Sequence, residues 1–229
     1  ASDLWTLPHN AIKRELFDLY EIIGVIRMRY LSLTFCDFYN LRVWWRLFGV
    51  FLIQYLTTEI TLLDPLLKTV VGVDGRGESL RRKIAPLFEM REWVLCKFEE
   101  ITGYMEEFET LPRGRALSLI CRTIDALGCK LMTLFNQQER CLPSMIESYH
   151  DESIKLSTEL KTIAILRASE FFPEAIAHQV RWMDAGKSRE KWLTSHLRWS
   201  ERAHIAQFYK RYEMNHGRIV VAFRGKLRG

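Results

Sequence analysis

YLTTEITLLDPLL, residues 55–67, sets an aromatic residue four positions before Glu59 and ends its apolar run at Asp64-Pro65. An α-helix turns once every 3.6 residues, so Tyr55 and Glu59 lie one turn apart and can enter the same interior. A carboxylate aimed into a helical core needs a partner, because burying an uncompensated charge is costly. The stretch therefore reads as half of a metal site or as the remains of one.

The same pattern occurs twice. Phe135-x-x-x-Glu139 with Pro143 downstream echoes Tyr55-x-x-x-Glu59 with Pro65 downstream. In the segments before them, His9, Ile12, Leu16 and Leu19 have the spacing of Arg91, Val94, Phe98 and Ile101. Each half reads as a helix with a polar residue near its start, followed by a helix bearing aromatic-xxx-Glu near its end.

Helical periodicity dominates the chain. Apolar steps predict helices over Pro8–Tyr30, Asn40–Val70, Ile84–Glu109 and Arg115–Tyr149, separated by the loop signals GVDGRGES (72–79) and LPRG (111–114). Proline predicts a bend near Pro143. Shorter helices are expected from Asp151 to Ala168 and from Pro173 to before Ala185, then one long helix over Arg189–Tyr212. The end, GRIVVAFRGKLRG, is expected to be extended or disordered, with Ile219–Phe223 as the nearest thing to a strand. The predicted class is all-α: an up-down antiparallel four-helix bundle over residues 1–150, with additional C-terminal helices and a basic tail over 151–229.

Three segments carry a resemblance to a known family. LPHNAIKRELFDLY (7–20), FLIQYLTTEITLLDPLL (51–67) and LFNQQERCLP (134–143) resemble the hemerythrin-like, or HHE cation-binding, domains, and the likeness covers about residues 5–150. The resemblance implies two bridged irons held between four helices by histidines and carboxylates. By position, His9 matches the first-helix histidine, and Glu59 and Glu139 match the bridging carboxylates. Tyr55, Arg91 and Phe135 stand where further histidines belong. Phenylalanine cannot ligate, and a protonated guanidinium has no lone pair to offer. The site the resemblance implies is therefore degenerate. Three arrangements remain open for the glutamates: an ion pair with Arg91, a metal held with His9, or exposure to solvent. His9 itself reads either as a ligand or as a surface or capping histidine.

The chain has 229 residues, 48% hydrophobic and 12% aromatic, enough for a substantial core. Residues 187–229 hold eleven Lys or Arg and three Asp or Glu, a net of +8 within a total of +5, so residues 1–186 sum to −3. Such a tail suits an acidic protein partner ahead of nucleic acid or an anionic membrane. Five cysteines without a CxxC pair, most flanked by apolar residues, read as small buried hydrophobes in a reducing intracellular compartment. ASDLWTLPHN lacks the basic start and apolar run of a signal peptide, leaving a cytoplasmic site or an organelle reached after removal of a targeting segment. VWWRLFGVFLIQYL (43–56) falls short of the ~20 apolar residues of a span and reads as a buried helix. Nothing resembles a catalytic set. The expected function is a non-enzymatic structural or interaction protein, a subunit of a larger assembly, with no cofactor; the alternative is an iron-binding or oxygen- or iron-sensing protein with iron on His9, Glu59 and Glu139.

Overall fold

The computed structural model describes residues 5–65, 67, 77–107, 113–183 and 186–226. It is about 91% helical, with no strand among the described residues. Two compact units make up the chain. One contains Ala1–Trp5 and Tyr55–Glu152, the other Thr6–Gln54 and Ser153–Gly229. Residues 6–54 group with the helices after Ser153.

In the second unit, α1 (Thr6–Met28) carries Ile12, Leu16, Leu19, Ile23 and Ile26 as one buried stripe. Pro8 falls in its first turn, where the missing N–H has no partner to lose. A 3₁₀ turn at Tyr30–Ser32 leads to α2 (Phe35–Thr58), whose start is closed by a reciprocal cap. The Thr34 N–H donates to Asp37 Oδ2 at 2.9 Å, and the Asp37 N–H donates to Thr34 Oγ1 at 3.3 Å. Helix then runs without interruption to Leu63, so Phe35–Leu63 is long and apolar enough to cross a membrane, a longer element than the sequence interruptions suggest. Half of its most apolar window is buried, as a core helix would be.

The first unit is built on α3 (Gly77–Glu106) and α4 (Arg113–Tyr149), which pack against each other. Residues 77–79 and 113–114 belong to the opening turns of these helices, while 72–76 and 111–112 lie outside the described residues. α4 continues through Pro143. The cysteines correct the sequence reading. Only Cys121 is buried, whereas Cys36, Cys96 and Cys129 are exposed, because apolar neighbours in sequence occupy a different face of each helix.

The C-terminal helices are α5 (Glu152–Arg167), α6 (Phe172–Val180), α7 (Lys187–His196), α8 (Trp199–Ala203), α9 (Ile205–Tyr212) and α10 (Arg218–Gly225). The expected single helix over 189–212 is broken at Leu197-Arg198 and at His204. At the first break Leu197 is extended and the Glu201 carboxylate accepts the Arg198 N–H, starting a new helix. The tail is also not extended over its described residues, up to 226. Glu213–Gly217 forms a π-helical turn, and α10 packs on α1, burying Ile219, Val220 and Phe223. The spacing of these three residues gives one apolar helical face, which overrides the basic composition around it.

That packing makes Ile219, Val220 and Phe223 part of the second unit's core. Phe223→Ala should lower the unfolding free energy by about 3–5 kcal/mol, the usual effect of emptying a buried aromatic position. The exposed Val221→Ala should stay within about 0.5 kcal/mol in the same denaturant titration.

Candidate functional site

The stretch 55–67 places its polar groups through a local widening of the helix. Glu59–Leu63 is π-helical, and the Asp64 N–H bonds to the Glu59 carbonyl. On an ideal α-helix residues five apart diverge by about 140°. The i→i+5 turn removes most of that divergence, so Glu59 and Asp64 face the same way.

Both carboxylates meet Arg91 from α3. Its Nη1 donates to Asp64 Oδ1 at 2.9 Å and its Nη2 to Asp64 Oδ2 at 2.6 Å, a two-pronged fork. Nη1 also lies 3.9 Å from Glu59 Oε2. On the other side of Glu59, Oε1 accepts the Tyr55 hydroxyl at 2.6 Å and the Gln138 amide at 2.8 Å. All of these side chains are buried, Glu59 to 1% exposure. The Phe135 ring stands edge-on to Tyr55 with centroids 6.1 Å apart. A cavity of about 10 Å³ touches Trp5, Glu59, Arg91 and Gln138. Glu59 Oε2, Arg91 Nε and Gln138 Oε1 are buried without a hydrogen-bond partner. One donor and two acceptors at a space this small form the set that a single water can join.

Burial drives the electrostatics. It pushes the Glu59 carboxyl up to about 7, against the opposing pull of the Tyr55 hydrogen bond and of Arg91. Burial, then the Glu59 charge, raises the Tyr55 phenol well above its ordinary value. For Arg91, burial works against the charge, but the Asp64 pair outweighs it and the guanidinium stays protonated.

Of the residues singled out in the sequence, Tyr55, Glu59, Arg91 and Phe135 come together here. Glu139 lies half-buried beside Gln138, and it is Gln138 that bonds to Glu59. Arg91 does not span the two glutamates; its fork is taken by Asp64. His9 is fully buried on α1, not a surface histidine.

A second polar cluster, absent from the sequence reading, lies within the other unit. Glu15 of α1 is completely buried. Its Oε1 sits 3.0 Å from His178 Nδ1 of α6 and accepts the Tyr212 hydroxyl at 3.0 Å. Its Oε2 sits 2.7 Å from His216 Nε2, in the π turn after α9. Arg181 Nη1 approaches Oε1 to 3.4 Å and Nη2 donates to Asp18 at 3.2 Å. Burial would raise the Glu15 carboxyl, but His178 and His216 beside it hold it far below the usual carboxylate range. Burial lowers His216.

No family model matches the chain, and no curated protein and no solved structure matches it.

The raised Glu59 group makes a signed prediction. A carboxyl bound more tightly to its proton in the folded state stabilises fully below about 4.5, and that contribution is lost as pH rises through about 7. Wild-type stability should therefore fall by up to about 3 kcal/mol across that window through this group. Glu59→Gln, which keeps an acceptor for Tyr55 and Gln138, should remove that decline in unfolding measured at a series of pH values.

Proposed function

We propose that this chain is a non-enzymatic structural or interaction protein built on a degenerate hemerythrin-like four-helix bundle, in which a buried arginine–carboxylate pair stands in place of a metal centre. One observation carries the reading: the Arg91 guanidinium is forked onto Asp64 and lies 3.9 Å from Glu59, where a family metal would face the second-helix carboxylate. A fixed positive charge answers the buried acids without an ion. The neighbouring positions favour the same conclusion. Phe135 has no donor atom, and the Tyr55 hydroxyl is committed to Glu59. The family assignment itself rests on the residue pattern of 7–20, 51–67 and 134–143.

The interaction half of the proposal draws on the basic C-terminal region. Trp199 is 78% exposed on α8 and is flanked by the basic residues Arg198 and Arg202. An open tryptophan beside arginine is the composition of a protein-binding hot spot, and it suits a partner that offers acidic groups around an apolar pocket. Part of the positive charge is already answered within the same unit: Arg211 pairs with Glu174, Arg224 with Asp18 and Glu21, and Lys226 with Asp37.

Elemental analysis of the full chain, produced in iron-supplemented medium, tests the central point. The expected result is no stoichiometric iron in either wild type or Glu59→Gln. One or two equivalents of iron in wild type, lost in Glu59→Gln, would replace this proposal with the iron-binding alternative.

A further inference from the structure

Glu15, His178 and His216 form a donor set that the arginine–carboxylate reading does not use. We propose that they bind one divalent transition-metal ion of the zinc type, with the Tyr212 phenol as fourth ligand, and that the ion fastens the C-terminal helices to α1.

The donor chemistry fits: imidazole nitrogen and carboxylate oxygen are zinc ligands, two histidines and a glutamate are a known three-ligand set, and the Tyr212 oxygen stands where a fourth ligand is needed. So does the spacing. One ligand atom from each of Glu15, His178 and His216 lies within 4.8 Å of the other two. Tyr212 Oη is 3.0 Å from Glu15 Oε1. Tetrahedral zinc with bonds near 2.0–2.2 Å holds its donors about 3.3 Å apart, so modest side-chain rotations close the site.

The rings are already held in place by packing. His178 stacks on Phe51 at 4.6 Å and an interplanar angle of 9°, and His216 lies against Trp44 at 4.8 Å. All the donors are buried, so the ion would be enclosed, as in a structural site. Charge permits it as well. Glu15, Asp18 and Glu21 face Arg181 and Arg224, three carboxylates against two guanidiniums, leaving one net negative charge with the imidazoles neutral. On binding, His178 coordinates through Nδ1 and His216 through Nε2, and the proton that each of these nitrogens donates to Glu15 in the metal-free cluster moves to the far nitrogen of its ring. Tyr212 gives its proton to solvent and binds as phenolate, so a site that started at −1 ends neutral. The four ligands come from α1, α6, the end of α9 and the π turn after it, all within one unit. Metal affinity here becomes folding stability for that unit.

Titration of the full chain with zinc, both folded and during refolding in its presence, reads the site directly. One equivalent should bind and raise the unfolding temperature, and His216→Ala should weaken binding by about 100-fold or more. Tyr212→Phe keeps the ring packing and should alter the absorption spectrum of the cobalt-substituted protein. Glu59→Gln, in the other unit, should bind zinc as wild type does, which separates this site from the iron alternative above. A wild-type chain that takes up no zinc by either route overturns the proposal. So does zinc uptake that survives His216→Ala, or a cobalt spectrum unaltered by Tyr212→Phe.

Discussion

The fork between Arg91 and Asp64 is the interaction on which the interior of the first unit depends. Asp64 and Glu59 both enter a helical core, where an unpaired ion costs several kcal/mol. A single guanidinium meets the first through two hydrogen bonds and faces the second at 3.9 Å. Tyr55 and Gln138 then complete Glu59 from the opposite side. Remove the guanidinium and two carboxylates must either protonate or find another cation. That logic ties the π turn at Glu59–Leu63 to the chemistry, since the widened turn brings both acids toward one arginine.

The second unit solves the same problem with different groups. Glu15 is as deeply buried as Glu59, yet two histidines, a tyrosine and an arginine surround it. The outcome for the carboxyl is opposite: Glu59 is pushed up to about 7 and Glu15 is held low. Burial alone does not decide the sign. The positive charge that His178 and His216 can place directly against Glu15 does, whereas Glu59 has a neutral phenol and an arginine at 3.9 Å.

How much of this was legible in the sequence follows from what helical periodicity can and cannot report. The all-α class, and the limits of the first helix and of Arg113–Tyr149 to within a few residues, follow from apolar spacing. Tyr55 and Glu59 were visible because four residues make one turn. Asp64 was not, because an unbroken α-helix points it elsewhere, and the π insertion leaves no mark in composition. Gln138 was hidden by its neighbour Glu139, which has the i+4 spacing from Phe135 that the sequence repeat favours. Glu15 carried a readable signal, a carboxylate on the Ala11–Leu19 apolar face, but its partners are 163 and 201 residues away in sequence. The tail misled for a similar reason: its lysines and arginines suggested a solvated end, while Ile219, Val220 and Phe223 supply the buried face.

The account's central claim is that Arg91 compensates buried acids, and a double-mutant cycle over Arg91→Met and Asp64→Asn measures that directly. Unfolding free energies of the wild type, the two single variants and the double variant isolate the pair's coupling from other effects of each change. The account predicts a favourable coupling above about 1.5 kcal/mol, with the double variant more stable than the single losses sum to. A coupling below about 0.5 kcal/mol would mean that the two groups act independently, and Arg91 would not then compensate the buried acid.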